Sequence, residues 1–98
     1  MNLKTRKLAE LDRVIHEPGR LMLVALLSAV EQADFLYLQH ETEMNKGTLS
    51  SHLSKLEEAG YVEVTKTYRG KIPQTLLRLT VEGRQAFQQY RRRLKEAL

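Results

Sequence analysis

The segment Asn45 to Gly60, Asn-Lys-Gly-Thr-Leu-Ser-Ser-His-Leu-Ser-Lys-Leu-Glu-Glu-Ala-Gly, constrains the fold of this chain more than any other stretch. Leu49, Leu53 and Leu56 recur at i, i+4 and i+7, which predicts one helix with a single apolar stripe. At about 100° per residue, the opposite face carries Gly47, Ser51, Ser54 and Lys55, with Thr48 and Ser50 on its shoulders. Those groups are small, uncharged or basic, and able to hydrogen-bond. A solvated helix face is usually crowded with Glu and Lys instead. This one suits close entry into a concave polyanion.

Both ends of the helix are legible. Asn45 is a favoured N-cap type, and Gly60 suits the left-handed position just past the last turn. Tyr61 and Leu56 then occupy the two positions whose side chains touch in a Schellman ending. Beyond Gly60 comes the β-branched run Tyr-Val-Glu-Val-Thr-Lys-Thr, then Tyr68-Arg69-Gly70-Lys71, then a second extended run from Thr75 to Leu79. Two such runs around a short glycine-containing turn predict a hairpin. Pro73 lies at the edge of the second run, where a missing N–H donor is tolerable.

Elsewhere the periodicity is helical. Leu8, Leu11 and Ile15 predict a first helix over roughly Leu3 to Ile15, interrupted by His16-Glu17-Pro18-Gly19. Pro18 either ends that helix or opens the next, where its missing N–H costs nothing. Arg20 to Val30 is apolar on nearly every side, as expected of a central helix. Asp34 and Phe35 read as a short connection, and Leu36 to Glu43 as a brief helix with Leu36, Leu38 and Tyr37 inward. With the Asn45 helix it makes a helix-turn-helix. Thr80 is placed to cap a last helix of roughly 18 residues, with Glu82 in its first turn. Ala86, Phe87, Tyr90, Leu94 and Leu98 form a stripe along it, and the other faces carry Arg84, Arg91, Arg92, Arg93 and Lys95. A core this small is not expected to cover so long a stripe, which implies a partner, most simply a second copy of the chain.

Composition narrows the function classes. At 98 residues the chain is one domain, 1–98, without repeats or low-complexity segments. Its longest apolar run, Leu21 to Leu27, is too short to span a bilayer, and its first residues do not read as a secretion signal. The absence of cysteine excludes disulfides and cysteine-based zinc sites and fits a cytoplasmic protein. Charge is uneven: residues 1–60 hold seven Lys/Arg and nine Asp/Glu (−2), whereas residues 61–98 hold nine and three (+6). The positive excess therefore lies on the hairpin and last helix, a pattern that favours a phosphate-bearing partner.

At this point a resemblance is plain. The element order, the string from Gly47 to Val62, the later Leu79-Thr80-Val81-Glu82-Gly83-Arg84, and Leu11 to Pro18 before the central helix resemble small winged-helix regulators of the MarR and ArsR groups, above all the stand-alone one-domain kind. Ser50 and Ser51 depart from that pattern, standing where such helices often carry basic residues. The resemblance implies a mainly α fold with a small β-hairpin (α+β), a winged helix-turn-helix in the order α-α-α-α-β-β-α. It implies a homodimeric transcriptional regulator on double-stranded DNA, with one helix in the major groove and the hairpin "wing" on the minor groove or backbone.

The residues expected at the DNA are Lys46, Gly47, Thr48, Ser50, Ser51, Ser54 and Lys55 on the helix, with Lys66, Arg69 and Lys71 on the wing. N-terminal residues of such a helix come nearest the base edges. Lys46 and Lys55 are placed for phosphates, and His52 for a phosphate or for packing at the edge. Arg91-Arg92-Arg93 fan over about 200° of helix and cannot form one patch, so a solvated or dimer-rim role is expected for them. Dimerisation is expected through Leu8, Leu11, Phe87, Tyr90, Leu94 and Leu98. In MarR relatives an effector occupies a cleft between dimer helices and DNA-binding lobe, and in so short a chain that cleft would be small.

Other readings are weaker. His16, His40 and His52 are spaced 24 and 12 residues apart, which matches no compact metal motif. No glycine-rich phosphate loop or Gly-x-Ser-x-Gly string is present, and Glu57-Glu58 sit on an exposed helix end, so neither catalysis nor a cofactor is expected. The alternatives from other classes are a winged helix serving as a protein-interaction module, and RNA binding through the basic carboxyl half.

Overall fold

The computed structural model describes all 98 residues. Its elements are α1 (Leu3–Ala9), α2 (Pro18–Ser28), β1 (Ala33–Asp34), α3 (Phe35–Thr42), α4 (Lys46–Glu58), β2 (Val62–Arg69), β3 (Ile72–Leu79) and α5 (Val81–Ala97). The fold is α+β, five helices with a small antiparallel sheet in the order β1-β3-β2. β2 and β3 form the long hairpin, in register from Val62↔Leu79 to Arg69↔Ile72. β1 adds a third strand that the sequence pattern does not announce: Asp34 was expected in a plain connection, yet Ala33 pairs with Leu77 and Asp34 with Leu76. Two residues carry too little alternation to be read as a strand. Their pairing comes from the edge that β3 offers.

The core is one cluster, with Ile15, Leu23, Val24, Leu27, Leu38, Leu49 and Leu56 fully enclosed and Val62, Leu77, Leu79 and Tyr90 closing it from the sheet and last helix. α2 is its centre, in contact with α3, α4, α5 and β3. Pro18 opens α2 at its first turn, and Glu17 caps it, its carboxylate accepting from the Gly19 and Arg20 N–H groups at 3.0 and 2.8 Å. On α3 only Leu38 is buried; Leu36 and Tyr37, expected inward, face solvent, while Phe35 turns against the core in their place.

The first helix is shorter than its apolar spacing suggests. α1 ends at Ala9, and residues 10–17 form turns. Asp12 Oδ1 accepts from the backbone N–H of Val14 and Ile15 at 2.8 and 3.1 Å, which supplies locally the bonds that a helix would have made. Leu11 and Ile15 are core residues all the same. They reach the interior from a loop.

α5 also differs from expectation. α1 packs along it, with Lys7 Nζ 3.3 Å from Glu96 and Arg93 donating to the Glu10 carbonyl at 3.2 Å. The subunit's own first helix therefore covers much of the stripe left open to a partner by sequence reasoning. Tyr90 is 3% exposed and Leu11 4%, so neither has surface left to give a second subunit, and both leave the expected dimer contact set. Phe87 and Leu94 are half-buried against the core, whereas Leu8 and Leu98 remain exposed.

Candidate nucleic-acid interface

The site begins with the turn between α3 and α4. Glu43 adopts a left-handed conformation (φ 56°) after α3, which redirects the chain within three residues. Asn45 then caps α4, its side-chain oxygen accepting from Thr48 N–H at 2.8 Å. At the other end the Schellman pair is complete: Gly60 N–H bonds to the Glu57 carbonyl and Tyr61 N–H to the Leu56 carbonyl, both at 2.9 Å, with Gly60 at φ 80°. Leu49, Leu53 and Leu56 anchor the inner side of the helix in the core. Lys46, Gly47, Thr48, Ser50, Ser51, Ser54 and Lys55 are all exposed. From Asn45 to Leu56 this outward surface bears no carboxylate.

The wing is held beside α4 by the joint between α4 and α5. Thr80 donates its hydroxyl to the Gly60 carbonyl at 2.6 Å and accepts from Gly83 N–H at 3.0 Å, while its own N–H bonds to the Tyr61 carbonyl at 3.0 Å. Gly83 is required there, because a Cβ would stand 2.2 Å from the Tyr61 carbonyl oxygen. The two stems of the hairpin are thereby tied together at its base. At its far end Gly70 (φ 64°) and Lys71 make a two-residue turn between the paired Arg69 and Ile72.

Between α4 and the wing runs an open channel of about 560 Å³. Lys46, Ser50 and Ser54 line it from the helix, and Lys66, Pro73 and Thr75 from the strands, over a floor that includes Phe35, Leu53, Val64 and Leu77. The structure thus brings Lys46, Ser50, Ser54 and Lys66 together across one trough. Gly47, Ser51 and Lys55 face outward beside it, Thr48 lies on the opposite flank of α4, and Arg69 and Lys71 sit at the wing tip. Sequence reasoning missed Thr75 and Pro73 as channel walls. Strand pairing places Thr75 opposite Lys66, and the register was not readable in advance.

The chain's ion pairs are Lys7–Glu96, Arg20–Glu17, His52–Glu17 and Arg78–Glu63, so Lys46, Lys55, Lys66, Arg69 and Lys71 have no carboxylate partner. Asp34 also borders the channel. A hydrogen bond from the Gln74 amide (2.8 Å), then the Leu36 and Tyr37 N–H groups and the Arg69 charge, outweigh burial and hold its carboxyl below the usual carboxylate range. That acid is thereby held in its charged form, and with the Glu57 carboxylate, which also lines the channel, it offsets the charge of Lys46 and Lys66 there.

His52 takes the edge role. Its ring packs over Gly19, where a Cβ would lie 2.5 Å from Nε2, and Nδ1 is 3.5 Å from Glu17 Oε2 and 3.4 Å from Arg20 Nη1. It locks the recognition-type helix to the start of α2. Burial opposes ionisation of Glu17, but the Gly19 and Arg20 N–H groups and the His52 and Arg20 charges prevail and lower its pKa. The other histidines lie apart: His16 bonds to the Tyr90 hydroxyl at 2.8 Å, and His40 is exposed on α3. Arg84, grouped with the solvated basics by sequence, donates to the Ser28 and Val30 carbonyls at 3.3 and 2.9 Å and closes the end of α2.

A helix-turn-helix whose second helix is exposed and free of acid as far as Leu56, with a basic antiparallel hairpin beside it, defines a winged-helix DNA-binding module. Residues 20–98 match the family model described as "Winged helix DNA-binding domain". The chain belongs to that family. It is 35% identical over 79 residues to an uncharacterized protein of Methanocaldococcus jannaschii, spanning 80% of this chain and 85% of that one. The structure is similar to that of a transcriptional regulator homologue from Pyrococcus horikoshii OT3, with TM-score 0.87, 26% identity, and 93% and 92% of the two chains covered. It is also similar to the transcriptional repressor BigR of Xylella fastidiosa, with TM-score 0.70, 28% identity, and 91% and 84% covered. The family match and these two likenesses agree with the small winged-helix regulator pattern read from residues 47–62 and 79–84 and mark a DNA-binding transcriptional regulator. No helix is long and apolar enough to cross a membrane.

Proposed function

We propose that two copies of this chain bind one inverted-repeat duplex site and thereby regulate transcription in the cytoplasm. Each α4 enters a major groove, the two insertions lying one helical turn (about 34 Å) apart, and each wing rests on the neighbouring minor groove or backbone. The observation that carries this reading is the exposed surface from Asn45 to Leu56, which is free of acid, bears Lys46 and Lys55, and is flanked on the wing by Lys66, Arg69 and Lys71, none of the five in an ion pair. Thr48, Ser50 and Ser51 are short enough for the α4 backbone to approach base edges, although single hydroxyl contacts discriminate modestly. The channel between α4 and the wing is lined by Lys46 and Lys66 but also by Asp34 and Glu57, so the positive surface available to phosphate lies outside it, at Lys55, Arg69 and Lys71.

Two copies join through α1 and α5, where Leu3, Leu8 and Leu98 are exposed and Phe87 and Leu94 half-buried. Burying that apolar strip against its own copy supplies the hydrophobic contact that one subunit lacks. The test is selection of bound duplexes from a random pool, with the assembly state followed by sedimentation. A recovered palindrome and a dimer are expected. Retention of no duplex, together with capture of a protein through the α4 face, would replace this reading with an interaction module; preference for single-stranded RNA at equal salt would replace it with RNA binding.

A further inference from the structure

Of all the side chains on α4, His52 alone makes a polar contact with another element. Its Nδ1 stands 3.4 Å from Arg20 Nη1 and 3.5 Å from Glu17 Oε2, and its ring lies over Gly19 at the start of α2. Both partners are held from behind. Glu17 accepts from the Gly19 and Arg20 N–H groups, while Arg20 donates through Nε to the Val14 carbonyl at 2.6 Å and through Nη2 to the Arg13 carbonyl at 3.5 Å. The ring therefore rests on a seat that is already fixed. Elsewhere α4 has less support at its sides. Leu49, Leu53 and Leu56 hold its inner stripe, and the joint at Gly60 and Thr80 holds its C-terminal end. Its wing flank, with Lys46, Ser50 and Ser54, borders the open channel.

From this arrangement, and resting on the DNA-binding reading above, we infer that His52 is a positioning residue for base recognition. Seated on Gly19, Glu17 and Arg20, it sets the angle at which the N-terminal half of α4 meets base edges. Thr48 stands one turn before His52 on the same flank, and Ser51 precedes it on the outward face. Apolar burial is non-directional, so three leucines along one stripe restrain the depth of α4 more than its roll. A ring wedged against one flank restrains the roll. Hydroxyl contacts with bases need it, since they hold only over lengths of about 2.5–3.0 Å and at near-linear angles. Contacts of lysine with phosphate follow a small rotation through the long side chain and carry no sequence information. Loss of the seat therefore costs discrimination between sequences and leaves non-specific binding in place. His52 touches no base in this arrangement; it acts through Thr48 and Ser51.

The test measures the affinity of the full chain for the duplex recovered from the random pool and for a scrambled duplex of the same composition. It is run at a temperature where circular dichroism shows every variant folded. Two substitutions disturb the seat from opposite sides. His52→Ala removes the ring, and Gly19→Ala drives it off, because a Cβ at Gly19 would lie 2.5 Å from Nε2 and 2.9 Å from Cδ2. Each should weaken binding to the recovered duplex about tenfold, the cost of roughly one mismatched base pair. Binding to the scrambled duplex should change by less than about twofold, with a salt slope parallel to that of the wild type. The three atoms nearest the added Cβ all belong to the ring, so Gly19→Ala/His52→Ala should bind as His52→Ala does. The inference is overturned if both duplexes weaken alike, the mark of a general loss of structure or charge. It is equally overturned if the double variant shows the product of the two single losses. A wild-type chain that binds both duplexes equally, or neither, overturns the regulator reading itself, whereas undiminished discrimination by His52→Ala and Gly19→Ala sinks only the positioning role.

Discussion

Lys55→Ala gives the most direct measure of whether α4 lies against phosphate. Lys46, Lys55, Lys66, Arg69 and Lys71 are exposed and outside the ion pairs, five per chain and so ten in the proposed dimer. If each neutralises one phosphate, the slope of log affinity against log salt is roughly −9, near the steep end for duplex binding. Affinity then falls roughly 10⁵-fold between about 50 and 200 mM salt. Removing Lys55 from both subunits withdraws two contacts, so the slope relaxes by roughly 1.8 and the same salt interval costs roughly 10⁴-fold. Fluorescence anisotropy on a labelled duplex across a salt series reads both quantities. Lys7→Ala is the control, since Lys7 pairs with Glu96 at the α1–α5 end of the molecule. It should leave the slope unchanged. An unaltered slope for Lys55→Ala, or an equal change for Lys7→Ala, would refute the placement of the phosphate contacts on α4 and show that binding follows net charge alone.

Three further outcomes are expected. Gly83→Ala forces a Cβ against the Tyr61 carbonyl oxygen; overpacking of about 1–3 kcal/mol should outweigh the gain of roughly 1 kcal/mol in helix propensity, and thermal unfolding should report a lower midpoint. The Tyr61 hydroxyl donates to Asp12, and that hydrogen bond, with burial and the Asp12 charge, pushes the phenol up to about 12. Because the folded value lies above the ordinary value near 10, its contribution to stability is complete below that pH and lost as pH rises towards about 12. An ultraviolet titration should show that late step, and Tyr61→Phe should abolish it. Finally, Leu8→Glu with Leu98→Glu places charge on the exposed apolar strip of α1 and α5; sedimentation should report monomers with an unchanged circular dichroism spectrum, and persistent dimers would move the subunit contact elsewhere.

Much of this architecture was legible where the signals are local. The N-cap at Asn45, the Schellman ending at Gly60 and Tyr61, the cap at Thr80 and the proline opening of α2 all depend on residues within a few positions of one another. The exposed side of α4 was equally readable, because three leucines spaced along one helix leave the opposite side no choice. By contrast, Leu8, Leu11 and Ile15 show why apolar spacing misleads. It places Leu11 and Ile15 inward, but Leu8 stays exposed and the chain between Leu11 and Ile15 is a turn stabilised by Asp12, whose carboxylate also engages Tyr61, 49 positions away. The pairing of β1 with β3 and the half-turn that exposes Leu36 and Tyr37 while turning Phe35 inward are likewise set by neighbours distant in the chain.

The amino-acid order by itself determined the second helix of the helix-turn-helix, its boundaries, its outward chemistry and the basic hairpin that follows, since caps, turns and helical period are short-range effects. Only the tertiary structure decided that His52 locks α4 to α2, that Lys46, Ser50, Ser54 and Lys66 share one channel, that α1 packs along α5, and that Tyr90 is buried in the core with its hydroxyl on His16. Those outcomes depend on which surfaces meet across 12 or more positions of chain, and burial there is shared among elements that no single stretch of residues specifies.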